Sequence, residues 1–261
     1  MVRSFKKCYL DVAQLPKYEL KLRVWLCNTV LRPLVEKIGQ LNTHFIRSSP
    51  PIQLKLGETS LENIHTLLSS KIELCSTALP LVLPYLRIHT NQTYLVQRIR
   101  ELAADITLKE FNWNSGGKEL IRESTNGMLR VVPWHESLPT DAELIWNLFC
   151  VYMDSMLSPS PFIVNHAKKP FTNVYFHKKS GRFNAIQCGS NSFFIVQVSE
   201  RPPLFEFVTN GGLVTNSVSK EGSNLFQTML LFIAHCKEMN KSRIDHLNLT
   251  ETGLNLIEVI S

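Results

Sequence analysis

The feature that most constrains this chain is a change of hydrophobic period near Ser158-Pro159-Ser160-Pro161. Ahead of it, apolar residues recur every three or four positions, as on a helix face. Behind it, short runs rich in Val, Phe and Thr alternate near period two, as in half-buried strands. Helices first, then strands, then one further helix predict an α+β fold. The helical half, residues 17–157, is expected to pack on a small, mostly antiparallel sheet of about five strands in residues 162–261. Residues 1–16 read as a basic segment ahead of a single domain, 17–261.

Residues 17–46 predict a long amphipathic helix through Leu22, Trp25, Leu26, Val30, Leu34, Ile38, Leu41 and Phe45. Pro33 lacks an amide proton and clashes with the preceding turn, so a kink or two helices meeting near Arg32 are expected. A second helix follows Gly57, capped by Thr59 or Ser60, with Ile64, Leu67, Leu68, Ile72 and Leu74 on its apolar side. Residues 78–86 continue it with a proline kink or start another. Thr90 or Asn91 opens a helix through Leu95, Ile99 and Leu102, with Arg98 and Arg100 expected to point away. Residues 114–137 read as a long, weakly patterned connection. Thr140-Asp141-Ala142-Glu143 fits a capping box, in which Thr140 accepts the Glu143 N–H and Glu143 reaches back. Asp141 and Glu143 are first-turn acids at the positive end of that helix.

The expected strands are residues 171–177, 182–187, 192–198, 204–209 and 213–218, with turns at Lys179-Ser180-Gly181 and Asn210-Gly211-Gly212. A helix capped by Ser223 or Asn224 follows, and residues 254–260 read as a last strand.

Composition excludes several classes. With 44% hydrophobic and 19% charged residues the chain is too apolar for a disordered one. No apolar run approaches the roughly 20 residues of a membrane span, and no apolar stretch at the N-terminus reads as a secretory signal. The first 50 residues carry nine Lys and Arg against three Asp and Glu, an excess equal to the +6 of the whole chain. Lys6, Lys7, Lys17 and Lys21 could face anionic lipid headgroups, or simply form a solvated helix face. No basic stripe interleaved with aromatics points to nucleic acid. Cys27, Cys150 and Cys236 fall in apolar helical patterns, which suits buried thiols and a reducing compartment. The sequons at Asn91 and Asn248 are then accidental.

Phosphate-loop, dinucleotide, zinc-protease and serine-hydrolase motifs are all missing from the sequence. Cys150 with His135 and Asp154 is the best nucleophile constellation, but a thiol inside an apolar helix is inert. Neither metal, cofactor nor small-molecule substrate is expected. The segment Trp113-Asn114-Ser115-Gly116-Gly117 favours a tight turn. It reads either as structure or as an interaction surface through Trp113, Asn114, Gly116 and Gly117.

Several stretches, in order, resemble the transmembrane protein 209 family, whose domain carries a "cytochrome b561, N-terminal" label. They include Trp25-Leu26-Cys27-Asn28-Thr29-Val30-Leu31-Arg32-Pro33, Gln97-Arg98-Ile99-Arg100-Glu101-Leu102, Trp113-Asn114-Ser115-Gly116-Gly117, Leu138-Pro139-Thr140-Asp141 and Asn224-Leu225-Phe226-Gln227-Thr228. The resemblance implies a protein of the nuclear envelope or endoplasmic reticulum membrane with its large domain on the cytosolic or nucleoplasmic face. It further implies a protein partner among nuclear pore components and no catalysis. Family members carry transmembrane helices ahead of this region, which this chain lacks. The reading is a non-catalytic interaction or scaffold domain. A peripheral membrane module and a cysteine-dependent or small-ligand enzyme are the alternatives.

Overall fold

The computed structural model describes residues 10–122, 129–157, 169–178, 193–209, 212–213 and 219–261. Helix α1 (Leu15–Leu26) runs into a π-helical turn, Cys27–Leu31, and then α2 (Arg32–Arg47). Pro33 cannot donate to a carbonyl one turn back, and the widened turn directly before it accommodates that loss. The break thus falls where the proline requires it. Next come α3 (Leu61–Ser70), a 3-10 turn (Ile72–Ser76), α4 (Leu79–Leu86) and α5 (Gln92–Ala104). Strands β1 (Glu119–Arg122) and β2 (Leu129–Val132) precede α6 (Asp141–Met156). The remainder is α7 (Thr172–Tyr175), β3 (Phe176–Lys178), β4 (Phe193–Glu200), β5 (Pro203–Thr209), β6 (Gly212–Leu213), α8 (Asn224–Met239), β7 (Arg243–Ile244), β8 (Leu247–Asn248) and a 3-10 turn, Leu256–Ile260. The fold is α+β, as the order of periods predicts.

By packing, the chain divides into two compact units. The first comprises Met1–Leu26, Asn112–Asn114 and Phe149–Ser261; the second comprises Cys27–Phe111 and Ser115–Leu148.

In the first unit the sheet has the order β3-β4-β5-β6. The β4–β5 and β5–β6 pairs are antiparallel, and β3 joins β4 in parallel. Helix α8 covers the sheet. Its Phe232 meets Phe171, Tyr175, Phe193 and Phe207 at ring-centroid distances of 5.9, 5.8, 5.4 and 6.2 Å. Asn224 is spent on the sheet rather than on a cap: it accepts the Phe205 N–H at 2.7 Å and donates to the Phe205 carbonyl at 3.1 Å. Ser223 occupies the N-cap position, but its hydroxyl donates to Glu19.

Two expected strands are corrected. Residues 171–177 begin as the short helix α7, because Asp154 Oδ1 accepts the N–H groups of Phe171 and Thr172 at 2.8 and 2.9 Å and so closes a turn there. Only Phe176 onward is strand. Residues 254–260 are not a strand: Leu256–Ile260 form a 3-10 turn against α1 and α8. Gly253 and Asn255, at φ +96° and +42°, bend the backbone out of any extended path. The expected strand 182–187 and most of 213–218 lie outside the described residues.

In the second unit, caps at Ser60 and Asn91 start α3 and α5. The predicted helix through Leu74 stops at Ser70. Ser69 and Ser70 donate to the His65 and Leu67 carbonyls, competing with the ladder, and Ile72 is left 85% exposed. The long connection of residues 114–137 contains the antiparallel pair β1–β2, in register Glu119↔Val132 to Arg122↔Leu129. The Thr140 capping box forms as read: Thr140 N–H donates to Glu143 at 3.0 Å, and Glu143 N–H donates to Thr140 Oγ1 at 3.2 Å.

Candidate interaction site

Arg98 is the anchor of the second unit. It lies three residues after Leu95 and four before Leu102, inside the apolar arc of α5, and is buried; Arg100 alone is exposed. The expectation that both arginines face outward is corrected for Arg98. Its Nε and Nη2 donate to the two oxygens of Asp141 at 2.9 and 2.7 Å. Nη1 donates to Glu101 at 2.6 Å, and Nη2 also to the Glu110 carbonyl at 2.7 Å. Burial opposes the guanidinium charge, but the two carboxylates outweigh it and hold its pKa above the ordinary arginine value. Asp141 is therefore more than a first-turn acid: it is fully buried and fastens the start of α6 to α5.

Gly116 and Gly117 cross directly over this anchor. A Cβ on Gly117 would fall 2.6 Å from Arg98 Cδ; one on Gly116 would fall 2.8 Å from Trp134 Cδ1 and collide with the Tyr94 hydroxyl. The paired glycines let the backbone lie flat on α5, and the Asp141 N–H then closes the crossing by donating to the Ser115 carbonyl at 2.8 Å. Burial pushes the neighbouring Tyr94 phenol well up, and the Asp141 charge adds to it.

From that crossing the chain enters β1. Glu119 ties the ribbon down at its base: it accepts from Asn91 Nδ2 at 2.5 Å and bonds His135 Nε2 at 2.9 Å, while Ser137 Oγ meets His135 Nδ1 at 2.8 Å. This Ser-His-carboxylate row was invisible in sequence, where His135 was grouped with Cys150. Acyl transfer also needs donors aimed at a developing oxyanion; Ser137 stands on an exposed turn. Beyond this base the ribbon is open. Leu129, Val131 and Ile121 are 61%, 55% and 41% exposed. The register places positions 120, 122, 129 and 131 on one face, so Leu120, Leu129 and Val131 share it with the position of Arg122.

The other candidates sit elsewhere. Cys150 is buried in the first unit, where desolvation and the Asp154 charge push its thiol well up. Asp154 is one turn away, but its oxygens are held by Phe171 and Thr172. His135 belongs to the second unit. Trp113 is half-buried beside Gly222, and Asn114 is exposed. Lys17 is exposed, whereas Lys21 Nζ donates to the Ser261 carbonyl at 2.6 Å. Lys6 and Lys7 lie outside the described residues.

The family described as "Cytochrome B561, N terminal" matches residues 4–261, nearly the whole chain. The chain belongs to this family. A relative, "Uncharacterized protein B0464.6" of Caenorhabditis elegans, is 32% identical over 254 residues. Those residues are 95% of this chain but 39% of that protein, so the chain spans about two fifths of its relative. No solved structure matches. No helix among the described residues is long and apolar enough to cross a membrane.

The word cytochrome in the family description raises haem, which needs axial donors facing each other across an apolar slot. In this family member His177 packs edge-on to Phe194 at 4.8 Å, and His235 lies 4.7 and 5.5 Å from the rings of Phe193 and Phe207. His89 has both ring nitrogens bonded, to the Asn91 N–H and the Ser137 carbonyl. These three imidazoles are thus packed against phenylalanine rings or hydrogen-bonded within the protein, and they form no pair of facing axial donors.

Burial lowers the pKa of His177 and His235 from the ordinary 6.5. The unfolded imidazoles therefore take up protons first as pH falls, so stability is expected to drop below about pH 6.5. Thermal melts across this range should show Tm falling with acid, and His235→Phe should shallow the slope. A slope unchanged by that variant would place the sensitivity elsewhere.

Proposed function

We propose that the chain is a non-catalytic protein-interaction domain working at the nuclear envelope or endoplasmic reticulum membrane, on its cytosolic or nucleoplasmic face. Its partner is an envelope protein or a nuclear pore component. The observation that carries the reading is the β1–β2 ribbon: a two-stranded sheet with Leu129 and Val131 exposed side by side on one face, held at its base by Glu119 and Arg98. Two strands alone are marginal in water, and an uncovered apolar ribbon invites a strand or side chains from a partner. The resemblance to the transmembrane protein 209 family supports the compartment. The spent Lys21 argues against a membrane module built on the basic N-terminal lysines.

The test is affinity purification of the tagged full chain from envelope membranes, beside a Leu129→Asp/Val131→Asp variant of equal Tm. Pore or envelope proteins should co-purify with the natural chain and fall at least tenfold with the variant. Recovery of none, or equal recovery by both, would sink the reading.

A further inference from the structure

The two strands of the β1–β2 ribbon are not equivalent. β1 is fastened to α5, with Glu119 accepting the Asn91 amide. β2 pairs with β1, and among the described residues no strand lies along its other edge. Leu129, Arg130 and Val131 are exposed there. In an antiparallel pair alternate residues turn N–H and C=O away from the neighbour, so part of the β2 backbone is unpaired within the sheet. Pro133, which is exposed and has no N–H, closes that edge after Val132. The open edge is therefore the four residues Leu129–Val132.

Register and strand geometry fix what an added strand would meet. Leu129 and Val131 share one face, and Arg130 stands on the other, directly across from Ile121. Glu119, on the same face as Arg130, is held by Asn91 and His135. Arg130 has no hydrogen-bond or ion-pair partner among the described residues. A strand laid along β2 repeats this alternation: its residues opposite Leu129 and Val131 cover apolar surface, and the one between them faces the guanidinium. We propose that the β2 edge takes up an extended segment of a partner protein, with an acidic residue between two aliphatic ones, as the third strand of this sheet. A second copy of the chain would instead bring another Arg130 to the seam, like charge against like. The inference rests on the interaction-domain reading and names how the ribbon holds its partner.

The experiment measures binding of three labelled peptides of about ten residues to the full chain, with Val-Glu-Val, Val-Gln-Val or Val-Lys-Val at the centre of a Ser/Thr-rich sequence. The Glu peptide should bind at least tenfold tighter than the Lys peptide. Arg130→Glu, an exposed position checked by equal Tm, should reverse that order. Strand addition is read from two further Glu peptides, N-methylated at alternate residues in the two possible phases. The phase that turns its amides to β2 should lose tenfold or more, and the other should not. No binding at about 1 mM peptide, equal binding of the three peptides, or equal loss in both methylated phases overturns the proposal. So does a chain that sediments as a dimer and separates on Leu129→Asp/Val131→Asp, since that gives the edge to a second copy. Envelope co-purification that persists while the peptides fail would spare the domain's role and remove only strand addition at β2.

Discussion

Asp141→Ala is expected to destabilise the protein by about 3–5 kcal/mol, the usual consequence of breaking a buried ion pair from one side. The carboxylate is fully buried and takes two hydrogen bonds from Arg98. Without it the guanidinium stays in the core with only the partly exposed Glu101 and one carbonyl for company. The crossing of Gly116 and Gly117 rests on that guanidinium, so the loss should spread to the base of the ribbon. Urea unfolding at constant m-value measures it. Arg98→Met/Asp141→Leu should regain much of the loss, because two apolar side chains need no pairing. A loss below about 1 kcal/mol for Asp141→Ala would mean that Glu101 alone satisfies Arg98.

Phe232→Ala should cost a similar amount, about 3–5 kcal/mol, by a different route. The ring meets Phe171, just ahead of α7, Tyr175 of α7, Phe193 of β4 and Phe207 of β5, three of them edge-to-face and Phe193 tilted, so truncation leaves a cavity that none of them can fill without giving up its own ring contacts. Phe232→Leu keeps most of the volume and should cost less than about 2 kcal/mol. Calorimetry of the two variants separates cavity from ring geometry. Equal Tm values for Ala and natural chains would show that α8 does not hold the sheet.

What could be read beforehand was what neighbours in sequence decide. The Thr140–Glu143 box, the caps at Ser60 and Asn91 and the break before Pro33 each involve groups within one helical turn. Burial of Cys27, Cys150 and Cys236 followed from helical spacing, and each is buried. What could not be read depended on distant partners. Residues 254–260 are apolar enough for a strand, but a strand needs a free edge and a 3-10 turn needs only a surface to lie on. Arg98 looked solvent-facing because its counter-charge comes from position 141. The glycines at 116 and 117 read as turn residues, and their actual constraint is the side chains of Tyr94 and Arg98 beneath them.

Residue order alone therefore determined the class of fold, the helix starts and the change from helices to strands, since these follow from hydrophobic period and local hydrogen bonds. Only the tertiary structure decided which charges are buried and which ribbon stands open. Those outcomes depend on side chains brought together from remote parts of the chain, where desolvation and pairing, rather than propensity, set the energy.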